Sequence, residues 1–174
     1  MSTGDGLGEL LARAAEGDDR ALALLVRRTQ PDVWRLCTAL GSTDEVDDLV
    51  QETYLRAIPS IASYRGEASV RTWLLAIARN VCADHVRRRQ RERRLVERIT
   101  QRFVEPAQVE PDFSAVSLQG LSPERRDAFV LTQIMDLSYE DAAAIVGCPV
   151  GTIRSRVFRA REDLTATIAR REAN

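Results

Sequence analysis

Hydrophobic positions recur at three- and four-residue intervals along most of this 174-residue chain. No stretch alternates with period two through β-branched residues, so the pattern predicts an all-α fold. Leu7–Ala15 and Ala21–Leu40 carry helical patterns, the second with Pro31 inside it and Gly41 as its expected stop. Ser42 and Glu45 form a capping-box pair, and with Asp44 and Asp47 they predict a helix over 43–58 with carboxylates near its start. Pro59–Ser69 reads as a turn-rich loop, and a further helix runs from about Val70 into an arginine run. Pro106 and Pro111, among Glu105, Glu110 and Asp112, mark an acidic and weakly periodic connector. Ser122-Pro123-Glu124 then supply an N-cap, a first-turn proline and a first-turn acid. The expected architecture is two small helical domains, 1–100 and 118–174, joined by a flexible linker over 101–117.

The segment from Ser138 to Leu164 has the pattern of a helix-turn-helix. Ser138 and Asp141 start a short helix ending at Val146, Gly147-Cys148-Pro149 makes the turn, and Ala143 is small enough for two helices to cross closely, with Ile145, Val146 and Ile153 filling the crossing. At 100° per residue, Ile153, Val157, Ala160 and Leu164 share one stripe of the second helix, whereas Gly151, Arg154, Ser155, Phe158 and Glu162 point the other way. Arg159 and Arg161 flank that outward face. A solvent-facing surface made of arginines, a serine and a phenylalanine suits a DNA major groove: Arg bonds a guanine edge, Ser a base or phosphate, and Phe a thymine methyl.

Composition sets further bounds. With 44% hydrophobic and 29% charged residues the chain has the composition of a folded, soluble protein, and its longest uninterrupted apolar run, Ala21–Val26, is too short to span a bilayer. The amino terminus lacks a basic-then-apolar signal pattern, so a cytoplasmic protein is expected. Cys37, Cys82 and Cys148 are scattered and unpaired in any CxxC, which suggests neither a disulfide framework nor a zinc knuckle. Cys82 and His85 share a helix face, but two candidates do not make a metal site, and a buried thiol is the simpler reading. No glycine-rich nucleotide loop or catalytic triad occurs, so no catalytic residue and no cofactor is expected. All 25 basic residues are arginine, a bias that fits G+C-rich coding better than function.

The net charge of -1 argues at first against nucleic acid. Divided along the chain, it does not. Residues 1–86 carry 9 Arg and 13 acids, 87–102 carry 8 and 2, 103–148 carry 2 and 8, and 149–174 carry 6 and 3. Two basic patches are hidden in a neutral total, and two separated arginine runs suggest one shared polyanion.

Two more surfaces stand out in the first domain. On the helix beginning near Val70, an apolar stripe of Val70, Leu74, Ile77, Ala78 and Val81 is flanked by Trp73, Asn80, Asp84 and Arg87. An amide and a carboxylate one turn apart can bond the edge of an unstacked base, with Trp73 or Tyr64 stacking on it. Trp73 is as readily a core residue, and Asn80 with Asp84 a local hydrogen-bonded pair. On the preceding helix, Val46, Leu49, Val50, Thr53 and Ala57 form the buried stripe, leaving Asp47, Asp48, Gln51, Glu52, Leu55 and Arg56 more exposed. Five acids between Asp44 and Glu52 repel DNA, so that face suits a protein partner.

In order, DDLVQETYLRA, YRGEASVRTWLLAIARN and LSYEDAAAIVGCPVGTIRSRVFRARE resemble the bacterial RNA polymerase sigma factors of the extracytoplasmic-function group, a sigma-70 family branch, over nearly the whole chain. The resemblance implies sigma domain two in 1–100 and sigma domain four in 118–174, with core RNA polymerase, through its β′ and β subunits, and promoter DNA as partners. It places Asp48, Gln51 and Glu52 on the helix that docks on the clamp helices of β′. It implies capture of unpaired minus-ten bases by the loop with Tyr64 and Arg65 and by the helix with Trp73, Asn80, Asp84 and Arg87. Arg154, Ser155, Phe158 and Arg159 match the positions that meet the minus-thirty-five element. Tyr54 and Tyr64 stand where the family often has Phe, and Val70 and Leu75 replace frequent aromatics, a departure that bears on strand separation. The family often uses an anti-sigma factor, which makes one a candidate partner. The alternatives are a stand-alone helix-turn-helix regulator and a helical adaptor whose arginines serve only protein contacts. A linker of about 20 residues at roughly 3.3–3.6 Å each reaches at most ~70 Å, enough to let two modules address separated promoter elements.

Overall fold

The computed structural model describes residues 5–41, 43–100, 118 and 120–172, and every regular element among them is helical. Helices α1 (Asp5–Ala15), α2 (Asp19–Leu40), α3 (Val46–Ser60) and α4 (Val70–Thr100) form the first group. Helices α5 (Pro123–Phe129), α6 (Tyr139–Val146) and α7 (Val150–Glu172) form the second. The expected linker at 101–117 lies outside the described residues.

Helix α2 starts at a cap that periodicity did not reveal. The Asp18 carboxylate accepts from the backbone N–H groups of Arg20 at 2.9 Å and Ala21 at 3.0 Å, while Arg13 binds its other oxygen. The helix continues through Pro31 and stops at Gly41, as expected, with the Gly41 N–H bonded to the Cys37 carbonyl at 2.8 Å. Glycine is needed there because a Cβ would stand 2.6 Å from the backbone carbonyl oxygen of Cys37, besides crowding Leu49 on α3.

The start of α3 differs from the expected helix over 43–58, and the capping-box pair falls partly outside the described residues. Residues Thr43–Glu45 form a 3₁₀ turn, α3 itself begins at Val46, and Ser42 lies outside the described residues. Glu45 makes no cap hydrogen bond. Its Oε2 lies 2.7 Å from His85 Nε2 and 3.6 Å from an Arg89 nitrogen, where α4 brings a buried imidazole against this turn. The helix also runs through Pro59 to Ser60 rather than ending at Ile58, and a 3₁₀ turn over Ile61–Ser63 follows. The buried stripe of α3 is Val46, Leu49, Val50, Thr53 and Ala57, as the periodicity predicts.

Helix α4 is the spine. It packs against α2 and α3 on one side and α6 on the other. Val70, Leu74, Ala78 and Val81 are buried as expected, whereas Ile77 is only half-buried. A second stripe, Thr72, Leu75 and Cys82, is buried as well. Leu75 and Val70 are therefore core residues. The Tyr54 hydroxyl lies 2.8 Å from Thr29 Oγ1, which gives a tyrosine at this half-buried position a polar partner.

In the second group, Ser122 caps α5 by accepting from the Arg125 N–H at 3.4 Å, with Pro123 in the first turn. The chain then widens into a π turn over Val130–Ile134 and leaves it through Asp136 at φ 53°. Three polar contacts tie this group to the first. Arg71, which also bonds Asp32 within the first group, donates to the Met135 carbonyl at 3.0 Å, Arg79 grips Asp127 through Nε at 2.8 Å and Nη2 at 2.5 Å, and Thr72 Oγ1 reaches Asp141 at 3.5 Å. Val33, Leu36, Leu74, Leu75, Leu131, Met135 and Ile153 belong to one buried cluster that draws on both groups. Each large aliphatic side chain buried in it contributes about 1.5–3 kcal/mol. A smaller cluster of Leu10, Leu11, Ala21, Leu25, Ile61 and Val70 holds α1 down.

Candidate nucleic-acid interface

The carboxy-terminal site follows from local rules. Ser138 caps α6 by accepting from the Asp141 N–H at 2.9 Å, and Gly147 takes φ 73°, a left-handed conformation in which its N–H closes on the Ala143 carbonyl at 2.8 Å. That turn aims α7 across α6, where Ala142 and Ala143 are buried beneath it and Ile145 and Val146 are half-buried. Ile153, Val157 and Ala160 of α7 are buried and Leu164 is half-buried. Two contacts fix the roll of the helix: Arg125 bonds Asp163, and Arg161 donates to Gln133.

The outward face is the expected one. Arg154, Ser155, Phe158, Arg159 and Glu162 are exposed, Phe158 at 63%. Ser155 donates its hydroxyl to the Thr152 carbonyl at 2.9 Å, so toward solvent it presents an acceptor. Arg161 flanks the face but is engaged by Gln133.

The amino-terminal candidates fall into two places. Tyr64, Arg65 and Trp73 line a pocket of about 300 Å³, closed on one side by Ala144 and Ile145 of α6. The Tyr64 and Trp73 rings meet edge to face with centroids 5.4 Å apart, and the Tyr64 hydroxyl donates to the Ala68 carbonyl at 2.5 Å. Trp73 is half-buried, between core and surface, while Arg65 is exposed and 4.0 Å from Glu67. Asn80 is exposed and its amide oxygen accepts from Arg79 at 3.3 Å. Asp84 does not join this pocket. With Arg88 and Arg91 of the same helix it lines a groove of about 550 Å³ between α3 and α4, to which α3 contributes Asp48 and Glu52. Asp48 and Gln51 are exposed, and Glu52 is 43% exposed and paired with Arg56 at 2.7 Å. Both Asp84 oxygens are engaged, Oδ2 by Arg56 at 2.8 Å and Oδ1 by Arg87 at 2.5 Å, and these bonds hold its carboxyl below the usual carboxylate range. Arg56 and Arg79 went unsuspected in the sequence because their partners lie 28 and 48 residues away.

The three cysteines are free. Cys37 and Cys82 meet in the core, where the hydrogen bond to Cys37 and burial push the Cys82 thiol well up. Among the described residues no group of three metal-ligating side chains occurs, and no helix is long and apolar enough to cross a membrane.

A helix-turn-helix with an exposed Arg–Ser–Phe face, joined to a helical unit with an acidic helix, is the layout of a transcription factor that also binds a protein. Comparison with known proteins gives the family. The model of Sigma-70 region 2 matches residues 25–92, and that of Sigma-70 region 4 matches residues 116–164. The extracytoplasmic-function (ECF) RNA polymerase sigma factor SigC of Mycobacterium tuberculosis is 45% identical over 168 residues, covering 90% of this chain and 88% of that protein. The ECF sigma-E factor of Haemophilus influenzae is 37% identical, covering 88% and 90%. Among solved structures, CnrH in complex with the cytosolic domain of CnrY superimposes with a TM-score of 0.72 at 30% identity, covering 92% of this chain and 95% of that one. The sigma factor RpoE bound to the anti-sigma factor NepR, from Bartonella quintana, gives 0.70 at 32% identity, covering 85% and 96%. The chain belongs to the sigma-70 family, in its extracytoplasmic-function group. It is a sigma factor that directs promoter-specific initiation by core RNA polymerase, and the match to region 2 sets aside the stand-alone regulator.

Proposed function

We propose that the chain divides its work between two modules, 1–100 for polymerase docking and minus-ten DNA and 118–174 for the minus-thirty-five element, with 101–117 as the tether. The observation that carries this division is the sorting of exposed charge. An acidic face on α3, with Asp48, Gln51 and Glu52, stands apart from the Arg154–Ser155–Phe158–Arg159 face on α7. The acidic face repels phosphate and suits the β′ clamp helices, whereas the α7 face suits a major groove. Tyr64, Arg65 and Trp73 line a pocket large enough to admit a base, and Asn80, Asp84 and Arg87 continue along the same flank of α4. Capture of unpaired minus-ten bases there would offset part of the cost of unstacking, roughly a few kcal/mol per base. For the modules to reach separate elements, the α4–α6 packing and the Arg79–Asp127 pair must open.

The bond-making chemistry belongs to the polymerase, and the protein acts in the cytoplasm without catalytic residues or cofactor of its own. The likeness to a sigma factor solved with its anti-sigma factor supports a partner of that class for this chain.

Transcription with core polymerase tests the division. Asp48→Arg is expected to reduce initiation at every promoter by weakening core binding at least tenfold, about 1.4 kcal/mol or more, since it reverses a charge in the docking face. Arg154→Ala is expected to cost about 1–3 kcal/mol only where the preferred upstream element is intact. Undiminished core binding by the Asp48 variant, or an equal loss from Arg154→Ala on all upstream sequences, would contradict the assignment.

A further inference from the structure

Arg56 sits on α3 between two carboxylates that belong to different surfaces. Its Nε donates to Glu52 Oε1 at 2.7 Å, one turn back on the docking helix, and its Nη1 donates to Asp84 Oδ2 at 2.8 Å on α4. Asp84 Oδ1 in turn receives Arg87 Nη2 at 2.5 Å. The four side chains form one chain of charge-assisted hydrogen bonds along the rim of the α3–α4 groove, each of them roughly half-exposed or more. Resting on the assignment of Glu52 to polymerase docking and of Asp84 and Arg87 to DNA, we propose that Arg56 is a positioning residue that couples the two surfaces.

The physical reason is the fork of the guanidinium, which shares its N–H donors between two acceptors. A cation of the polymerase that engages Glu52 removes one acceptor. Arg56 then turns both arms to Asp84, as a bidentate Arg–carboxylate pair, and competes with Arg87 for Oδ1. Arg87, displaced from its carboxylate, is free for a phosphate. Docking thereby favours the DNA-competent arrangement of α4, and by linkage the same free energy appears whichever ligand binds first. A reverse shift follows when Asp84 is lost: Arg56 closes on Glu52 with both arms and makes it a poorer partner for the polymerase. Lysine cannot serve, because a single ammonium on a flexible stem does not hold two acceptors at fixed geometry.

The test is a thermodynamic cycle on the affinity of the full-length protein for core polymerase without DNA. Asp84→Asn, although it changes α4 and not the docking helix, is expected to weaken core binding about two- to fivefold, the scale of an exposed ion pair. In an Arg56→Ala or Arg56→Lys background the same substitution is expected to have no effect. A second readout is carboxyl NMR: Asp84 titrates below the usual carboxylate range in the parent protein and moves upward in Arg56→Ala, which a loss of stability alone would not produce. An Asp84→Asn protein that binds core polymerase as the parent does, or that loses affinity equally without Arg56, overturns the coupling. Glu52→Gln separates this from the reading beneath it. Unchanged core affinity on Glu52→Gln sinks the docking assignment and the coupling with it, whereas a Glu52-sensitive but Asp84-insensitive affinity sinks the coupling alone.

Discussion

The two surfaces proposed to meet DNA differ in how ready they are. On α7 the side chains proposed to read the duplex stand clear of the protein: Arg154 and Arg159 are exposed, Phe158 is 63% exposed, and the ion pair that fixes the helix, Arg125–Asp163, involves neither arginine. On and beside α4 the candidates are engaged by other side chains of the protein. Asp84 is held by Arg56 and Arg87, the Asn80 oxygen by Arg79, and the Tyr64–Trp73 pair shares its pocket with Ala144 and Ile145. The difference matches what each surface must read. Duplex DNA offers its major-groove edge without rearrangement, so a rigid, preformed helix serves. An unpaired base exists only after strand separation, and a surface that stays engaged until then discourages unproductive contacts.

The comparison can be broken at its supports. Ile153 is fully buried beneath the α7 face, and Ile153→Ala is expected to cost about 2–5 kcal/mol, measured by denaturant unfolding. If α7 is a rigid reader, upstream-element recognition falls with it. The Arg79–Asp127 pair, with side chains 22% and 15% exposed, joins the two groups, and Asp127→Ala leaves a poorly hydrated guanidinium behind at a cost of roughly 2 kcal/mol. Asp163→Ala removes a more exposed pair within the second group and should cost less than ~1 kcal/mol. Equal losses in the same unfolding measurement would show that burial does not separate the two pairs. An effect of similar size, on binding rather than stability, is expected from Ile145→Ser, which loosens the wall of the Tyr64–Trp73 pocket. Binding of a short single strand by the isolated protein should improve about fivefold, corresponding to ~1 kcal/mol of apolar burial. No change, or a loss, would mean that Ile145 does not screen that pocket.

How much of this was legible in the sequence follows the same divide. The buried stripe of α3 and the inner and outer faces of α7 were readable because helical periodicity reports any face packed on one continuous core. The Ser122 and Ser138 caps and the Gly147 turn were readable because each is set by neighbours in sequence. Leu75 was not, because α4 is buried on two sides and the second stripe blurs the first. The approach of Glu45 to His85 was not readable, because a cap signature says nothing of a histidine 40 residues on that folds back against it. The charge network through Arg56 escaped for the same reason: its partners become neighbours only once α3 and α4 pack together. Surfaces defined within one helix could be drawn in advance, and those assembled between helices could not.

Run-off transcription tests the central claim most directly: core polymerase with and without the full-length protein, on a library of candidate promoters, followed by binding of the protein alone to any promoter selected. The account predicts promoter-specific transcripts only when both proteins are present, with weak promoter binding by the protein alone. Absence of any promoter-specific transcript, or tight and specific promoter binding without polymerase, would contradict it.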